Sequence, residues 1–274
     1  MVLRTTDTGI LAARILAVLK TLKQIAPVSA AEPGFDLADA YRVSADIVER
    51  RVKRGEVPVG WKIGFTNRTI WDEYGVHAPI WGPVYDTTAA PADPTITIAC
   101  PVGRLVEPRI EPEIVFRIAT PPEPGAKGAA LLACLDGVGH GFEIVQSVYP
   151  EWKFTAADTV AAFALHGRLF YGPFTEFTDA NRAEWLARLG DFEMLLYCDG
   201  VFVDRGKGTN VLDGPLSALA HFVSGLDAVS GGRLKPGDIV TTGTVTRAFP
   251  VKAGETWRSE LAGLPLPGLT IRFD

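Results

Sequence analysis

The sequence has little cysteine, histidine or methionine and lacks a long apolar run. It contains 3 Cys, 4 His and 2 Met in 274 residues. Three scattered cysteines are too few for a disulfide framework or a CxxC zinc site, so we expect a reducing compartment and a cytoplasmic protein. No segment approaches the roughly 20 apolar residues of a membrane span. The apolar segment 10–22 carries Arg14 and Lys20, which favours an amphipathic helix over a signal peptide.

The sequence also lacks an excess of positive charge. It has 27 Lys and Arg against 32 Asp and Glu, a net charge of −5, which argues against a protein that binds nucleic acid through phosphate contacts. The motifs GxSxG, GxGxxG, GxxxxGK[ST] and HExxH are absent. Serine hydrolase, Rossmann, P-loop and zincin interpretations are therefore set aside.

What is present indicates an α+β protein. Helices are predicted over residues 10–22 and 37–55, the second capped by Asp36, and again over 129–135, 179–189 and 215–224. Beyond residue 59, β-rich runs at 95–100, 110–118, 192–198 and 239–242 lie between many of the 28 Gly and 20 Pro. We predict a helical region 1–59 packed on a sheet-based body 60–274, with the proline-rich segment 83–94 as a loop.

Two glutamates share one face of a predicted strand. The segment 109–118 alternates, with apolar side chains at 110, 114, 116 and 118 and with Glu111 and Glu113 on the opposite face. Side chains two residues apart on a strand lie roughly 6–7 Å from each other, so both carboxylates can reach one cation. A solvated polar face is the alternative.

A third glutamate, Glu143, lies in the apolar run 139–145, where an unpaired charge is costly to bury. It is either a salt-bridged structural residue or the third carboxylate of an oxygen site with Glu111 and Glu113. Oxygen ligands without a Cys or His cluster favour Mg²⁺, with Mn²⁺ or Ca²⁺ as substitutes, over zinc.

A lysine and a threonine-rich turn complete the polar candidates. Lys62 stands between Trp61 and Ile63 and is bracketed by glycines, so it either transfers a proton or holds an anion, or extends its amine into water. The turn 241–246 offers hydroxyl and backbone N–H groups that suit a carboxylate, although such turns are common in β proteins.

Five segments, taken in order, resemble the 2-oxopent-4-enoate hydratase and 4-oxalocrotonate decarboxylase branch of the fumarylacetoacetate hydrolase superfamily. They are residues 60–66 (GWKIGFT), 111–114 (EPEI), 142–145 (FEIV), 212–216 (LDGPL) and 237–244 (GDIVTTGT). The resemblance implies a mixed β-roll body and a divalent metal on Glu111, Glu113 and Glu143. It also implies Lys62 as a catalytic or substrate-orienting amine. Further substrate contacts are predicted at Thr66, Trp81, Phe163, His166 and Thr244.

The implied activity is a hydratase that adds water to a 2-hydroxydienoate or its 2-oxo-4-enoate tautomer, in the catabolism of aromatic compounds. The metal would act as a Lewis acid on the 2-oxo acid. Decarboxylases and C–C hydrolases of 2-oxo acids use the same device and remain alternatives, as does a non-catalytic member that binds a 2-oxo acid or supports a partner enzyme. The resemblance further implies a homo-oligomer that can associate with a related decarboxylase.

Two departures from the hydratase pattern bear on the substrate. Ala162 and Phe163 stand where such hydratases carry Asp and Asn, and the segment 77–82 lacks the expected acidic stretch. We therefore predict a substrate with an apolar distal end, facing Trp81 and Phe163, because burying an unpaired carboxylate there would be unfavourable. His166 is a candidate for the missing base, with a structural histidine bonded to the backbone as the alternative.

Overall fold

The computed structural model describes residues 7–74, 76–229 and 232–274. Within these ranges the α-helices are α1 (Thr8–Thr21), α2 (Val28–Ala31), α3 (Leu37–Lys53), α4 (Trp71–Tyr74), α5 (Gly128–Leu132), α6 (Ala156–Ala161), α7 (Arg182–Arg188) and α8 (Pro215–Val229). Short 3₁₀ turns are formed at Arg68–Ile70, Val102–Arg104, Pro150–Trp152, Phe163–Leu165 and Gly208–Asn210.

The strands of the described residues form two mixed sheets. They are β1 (Pro58–Gly64), β2 (Ile80–Tyr85), β3 (Ala89–Pro91), β4 (Ile98–Cys100), β5 (Arg109–Ile118), β6 (Leu135–Val145), β7 (His166–Tyr171), β8 (Thr175–Glu176), β9 (Glu193–Cys198), β10 (Val201–Lys207), β11 (Ile239–Thr244), β12 (Phe249–Pro250), β13 (Thr256–Ala262) and β14 (Thr270–Phe273). Helices and mixed sheets together confirm the predicted α+β class.

The larger sheet brings distant parts of the chain side by side. Its order is β2-β1-β11-β5-β6-β7-β3, with β12 added to β5 and β8 added to β6. The pairs β1–β11 and β3–β7 are parallel, and β5 is antiparallel to both β11 and β6. The smaller sheet has the order β10-β9-β13-β14-β4. The centre of the larger sheet thus joins the segments that carry Lys62, Glu111, Glu113, Glu143 and Thr244.

The helices near the start of the described chain begin and end as their sequences predict. Asp36 caps α3 by accepting from the backbone of Asp39, and the Asp39 side chain accepts from Asp36 in return. In α1, Asp7 accepts from the Ile10 N–H at 3.0 Å. Both helices bury one apolar face, represented by Ile15 and Ile47, which are fully buried. The predicted helices over 10–22 and 37–55 are therefore confirmed.

The loop predicted over residues 83–94 is wrong. Pro83 lies in β2, and β3 follows at Ala89–Pro91. Both strands lie at the ends of the larger sheet. Proline cannot donate a ladder hydrogen bond, but an end strand leaves one side without a partner and can accommodate it.

One apolar core connects the helices to the larger sheet. It includes Ile15 of α1, Ile47 of α3, Val160 of α6 and Phe222 of α8. A second cluster, with Phe142, Trp257 and Ile271, connects the two sheets. Within the described ranges, no helix combines the length and the apolar character needed to cross a bilayer.

Candidate active site

Three carboxylates converge at the centre of the larger sheet. Glu111 and Glu113 lie on β5, and Glu143 lies directly opposite Glu111 on β6. One oxygen from each side chain lies within 4.8 Å of the others. This carboxylate cluster (Glu111, Glu113 and Glu143) confirms that the alternating strand and the buried glutamate meet at one place.

Glu113 is fully buried and only half satisfied. Its Oε2 accepts from the Gly243 N–H at 2.8 Å, whereas its Oε1 has no hydrogen-bond partner among the described residues. Burial raises the pKa of Glu113 well above its ordinary value, and the charges of Glu143 and Glu111 raise it further. Burial likewise raises the pKa of Glu111 to about 7. The cluster therefore carries unfavourable negative charge that a cation would relieve.

A shift in the β5–β11 register brings Gly243 to this carboxylate. The register changes between Thr241 and Thr244, and Gly243 has φ +94°. A β-carbon at this position would lie 1.8 Å from the Thr66 Oγ1. Only glycine permits both the left-handed conformation and the close approach of Thr66.

Lys62 on β1 is buried against the cluster. Its Nζ lies 3.1 Å from the Glu143 Oε2 and donates to the Ala164 carbonyl oxygen, also at 3.1 Å. Burial lowers the pKa of Lys62, but the charges of Glu143, Glu111 and Glu113 outweigh it and the pKa is raised. The amine is therefore an ammonium held inside the protein and does not extend into water.

The two oxygens of Glu143 have different contacts. The His166 Nδ1 lies 2.8 Å from Oε1 in a hydrogen bond, whereas Oε2 lies 3.1 Å from the Lys62 Nζ in an ion pair and has no hydrogen-bond partner among the described residues. Burial raises the pKa of Glu143, yet Lys62 and His166 together lower it below its ordinary value. The second ring nitrogen of His166, Nε2, lies 2.9 Å from the Thr88 Oγ1. The structure thus favours a structural contact for His166 over a role as a base, with a side chain rather than the backbone as its partner.

The Lys62 contact depends on an unusual turn. Phe163, Ala164 and Leu165 have φ values of +49°, +53° and +60°, so three consecutive non-glycine residues are left-handed. Such conformations cost free energy and are found where the surrounding structure enforces them. This turn directs the Ala164 carbonyl at Lys62.

A cleft that is open to solvent lies against Lys62 and Glu111. Its lining includes the apolar residues Ile63, Phe65, Ile80, Val145, Trp152, Phe154 and Leu165, and the polar residues Lys62, Thr66, Asn67, Arg109, Glu111, Thr159 and Thr244. A mostly apolar wall with a few convergent polar groups is typical of small-molecule sites.

Not all predicted substrate contacts face this cleft. Thr66 and Thr244 belong to its lining, whereas Trp81, Phe163 and His166 do not. Trp81 packs between Tyr41 and Phe222, with ring centroids at 5.7 and 5.6 Å. Its environment is the apolar core that α3 and α8 share, so its indole helps to hold the helices on the sheet.

The sequence analysis missed Arg109, Trp152 and Phe154. The Arg109 guanidinium stacks on the Trp152 ring, 4.1 Å from its centroid, and both residues line the cleft. The signal was available for Arg109, because it precedes Glu111 by two residues on the same strand and shares its face. Trp152 and Phe154 come from the segment after β6, whose position relative to the cleft was not predictable from local sequence patterns.

The cluster fits a divalent cation. Its donors are carboxylate oxygens, and Glu113 Oε1 is buried with no hydrogen-bond partner among the described residues. Hard cations such as Mg²⁺, Ca²⁺ and Mn²⁺ prefer such ligands.

The relatives found by comparison with known proteins are dienoate hydratases and oxalocrotonate decarboxylases. No family model matches the chain. The chain is 32% identical over 234 residues to a 4-oxalocrotonate decarboxylase of Pseudomonas sp. (strain CF600), covering 85% of this chain and 84% of that protein. It is 28% identical over 252 residues to a 2-hydroxyhexa-2,4-dienoate hydratase of Comamonas testosteroni, covering 92% of both chains.

A solved structure resembles the whole molecule. The 4-oxalocrotonate decarboxylase from Pseudomonas putida G7, complexed with magnesium and adipate, superposes with a TM-score of 0.89 at 28% identity. The match covers 100% of this chain and 99% of that one. The relatives therefore include both hydratases and decarboxylases.

Proposed function

The chain belongs to the family of 2-hydroxydienoate hydratases and 4-oxalocrotonate decarboxylases within the fumarylacetoacetate hydrolase superfamily, and from this premise we propose that it is a divalent-metal-dependent hydratase. It would add water to a 2-hydroxydienoate or its 2-oxo-4-enoate tautomer in the catabolism of aromatic compounds. The observation that carries this proposal is the carboxylate cluster with the buried ammonium of Lys62 beside it. Lys62 and Glu111 of the cluster line one cleft that is open to solvent.

Glu111, Glu113 and Glu143 would hold the cation, with Mg²⁺ as the expected ion. When bound, the ion supplies Lewis acidity that stabilises negative charge on a 2-oxo acid. The Gly243 N–H fixes one oxygen of Glu113 and leaves the other available. Lys62 and His166 fix Glu143 from two sides.

We assign to Lys62 the role of donating a hydrogen bond or a proton to the substrate. Its Nζ lines the cleft and is held by Glu143 and the Ala164 carbonyl, so its position is fixed before substrate binds. An ammonium can donate a hydrogen bond to an oxyanion or give up a proton, whereas a guanidinium keeps its proton near neutral pH. Thr66 and Thr244 line the same cleft. The Thr244 hydroxyl donates to the Thr246 carbonyl oxygen, whereas the Thr66 hydroxyl has no hydrogen-bond partner among the described residues and can donate to a substrate carboxylate.

Decarboxylation of a 2-oxo diacid is the second candidate function. The observation that favours it is the position of Arg109 in the lining of the cleft. Arg109 lines the same cleft as Glu111 and lies two residues before it on β5. Side chains two residues apart on a strand lie roughly 6–7 Å from each other, so Arg109 and the carboxylate cluster can contact opposite ends of one short diacid. The sequence analysis predicts a substrate with an apolar distal end. Phe65 and Phe154 support that prediction, whereas Arg109 would donate hydrogen bonds to a carboxylate at the distal end of the substrate.

One screen separates these candidates. Purified protein is stripped of metal, resupplied with Mg²⁺, and offered 2-hydroxypenta-2,4-dienoate and 4-oxalocrotonate. Loss of dienol absorbance without CO₂ release supports the hydratase, and stoichiometric CO₂ release from the diacid supports the decarboxylase. Absence of both reactions with metal bound would favour a non-catalytic 2-oxo-acid-binding protein.

We also propose a homo-oligomer in the cytoplasm. Val201 and Phe202 are neighbouring apolar residues at the start of the end strand β10, are 67% and 51% exposed, and suit a subunit contact. Cys100, Cys134 and Cys198 are free thiols, as a reducing compartment requires. Light scattering of the wild type and of Phe202→Ser tests the assembly. A monomeric wild type would contradict it.

A further inference from the structure

We propose that His166 is a positioning residue that fixes the carboxylate of Glu143, with Thr88 holding the imidazole in turn, and that this raises the affinity of the carboxylate cluster for its cation. The inference rests on the proposed function, since it assumes that the cluster binds the ion. His166 is 2% exposed and is not part of the cleft lining, so it acts through Glu143.

A β-bulge places the histidine beside the glutamate. In the β6–β7 pair, Glu143 is opposite Leu169 and Ile144 is opposite Arg168, but Val145 is opposite His166. Regular pairing would set Gly167 opposite Val145. The extra residue in β7 therefore moves His166 onto the face that Leu169 and Glu143 share, as bulges do when they redirect a side chain.

The bulge requires glycine at position 167. A β-carbon there would lie 2.4 Å from the Ile144 carbonyl oxygen, a contact with backbone that cannot relax cheaply. The local sequence His166-Gly167 thus combines the positioned side chain with the residue that allows its position.

The hydrogen bonds define which nitrogen carries the proton. An ionised carboxylate only accepts, so the His166 Nδ1–H donates to the Glu143 Oε1. The Thr88 Oγ1 accepts from the Tyr85 N–H at 3.2 Å and lies 3.1 Å from the Tyr85 carbonyl oxygen and 2.9 Å from the His166 Nε2. With the ring proton on Nδ1, Nε2 only accepts, so the Thr88 hydroxyl donates to the ring and not to the carbonyl. Thr88 therefore holds the imidazole at Nε2, while Nδ1 holds Glu143.

This arrangement restricts the rotation of the Glu143 carboxylate before the cation arrives. The His166 hydrogen bond fixes Oε1, and Oε2 lies in an ion pair with Lys62 but has no hydrogen-bond partner among the described residues, so it can face the cation. Outer groups that orient metal ligands typically contribute about 10–100-fold to metal affinity.

Binding of Mn²⁺ to the purified, metal-stripped chain, followed by electron paramagnetic resonance, tests the inference without an activity assay. We expect His166→Leu to weaken Mn²⁺ binding by about 10–100-fold. His166→Asn, whose amide nitrogen takes the place of Nδ1, should recover most of that loss. His77→Leu changes an exposed histidine and serves as the matched control.

Thr88 provides a second and milder test if His166→Leu fails to fold. Thr88→Val removes the hydroxyl at similar volume and should weaken Mn²⁺ binding, whereas Thr88→Ser should retain it. Folded His166→Leu with wild-type Mn²⁺ affinity, or equal losses in His166→Leu and His166→Asn, would overturn the inference alone. A wild-type chain that binds no Mn²⁺ would overturn the proposed metal function as well.

Discussion

The inner and outer walls of the cleft are built differently. The inner wall is Lys62, which lines the cleft, together with Glu113 and Glu143, which are fully buried behind the lining. These three side chains are held by one another or by neighbouring backbone and side chains. The outer wall consists of the half-buried Phe65, Arg109, Trp152 and Phe154. Ring surfaces dominate it, and Arg109 stacks on Trp152.

From this difference we infer that the inner wall supports turnover and ion binding and that the outer wall determines which substrates bind. Charges in the inner wall are desolvated, so their pKa values depend on each other and each has little freedom to move. Side chains in the outer wall contact solvent and can be exchanged with smaller consequences for the fold. We therefore expect changes in the inner wall to affect turnover or ion binding for every substrate, and changes in the outer wall to affect the choice among substrates.

The largest effect is expected from removing the inner-wall amine. Lys62→Met should lower kcat by about 10³-fold, in the range of a lost proton-transfer group. Lys62→Arg should not restore activity, because a guanidinium does not release its proton near neutral pH. Steady-state kinetics on the active substrate measure the loss, with the exposed Lys153→Met as control. A folded Lys62→Met enzyme with wild-type kcat would refute the catalytic role.

The next largest effect is expected from changing Glu113, a proposed metal ligand in the same wall. Glu113→Gln keeps the shape but removes one charge from the carboxylate cluster, so we expect Mn²⁺ to bind at least about 100-fold more weakly. Titration calorimetry provides the dissociation constant, and Glu123→Gln, which changes an exposed carboxylate, is the control. Equal affinities in the two variants would mean that the ion binds elsewhere.

The outer wall should show a smaller and selective effect. Arg109→Met should lower the preference for adipate over hexanoate, measured as the ratio of their dissociation constants, by about tenfold, since a charge-assisted hydrogen bond contributes about 1.5–3 kcal/mol. Arg104→Met alters an exposed arginine outside the cleft lining and should keep the wild-type ratio. If the wild type shows no preference for the diacid, the result supports the prediction that the distal end of the substrate is apolar.

The smallest effect concerns the pH dependence of the metal-free protein. The pKa values of Glu111 and Glu113 are raised by folding, so the folded chain binds more protons than the unfolded chain above pH 4.5. Burial lowers the pKa values of His140 and His166, which has the opposite effect, but only below their ordinary value of 6.5.

Between pH 6.5 and 8 the carboxylates therefore dominate. The free energy of unfolding should fall by on the order of 1 kcal/mol across this interval without metal. Denaturant titrations at several pH values measure the slope, and Glu113→Gln should flatten it. A free energy of unfolding that rises with pH in this window would contradict the assigned pKa directions.

Local patterns made parts of this molecule predictable from sequence. The strand with Glu111 and Glu113 was recognisable because alternation has a period of two, and the start of α3 because Asp36 is a strong cap. The burial of Glu143 followed from its apolar neighbours. These features depend on residues close together in the chain.

Features that depend on distant segments were not predictable. Trp81 was placed in the substrate pocket, yet α3 and α8 pack on its indole from 40 residues before and 141 residues after it. The stacking of Arg109 on Trp152 was not predictable, because the ring comes from another segment, although the position of Arg109 beside Glu111 was. The bulge that redirects His166 comes from pairing between β6 and β7, and periodicity within one strand does not reveal it.

The left-handed turn at Phe163–Leu165 has a consequence for how this sequence can change over evolutionary time. Lys62 is held by the main-chain oxygen of Ala164, and a carbonyl oxygen is the same whatever side chain its residue carries. Selection on this contact therefore acts on the path of the backbone, and side chains in the turn are limited by its left-handed conformation and by close packing against Gly82. The apolar residues Ala162 and Phe163 can accordingly occupy this segment while the amine keeps its anchor. Mutational drift in this segment can alter the packing behind the cleft without altering the position of its proton donor.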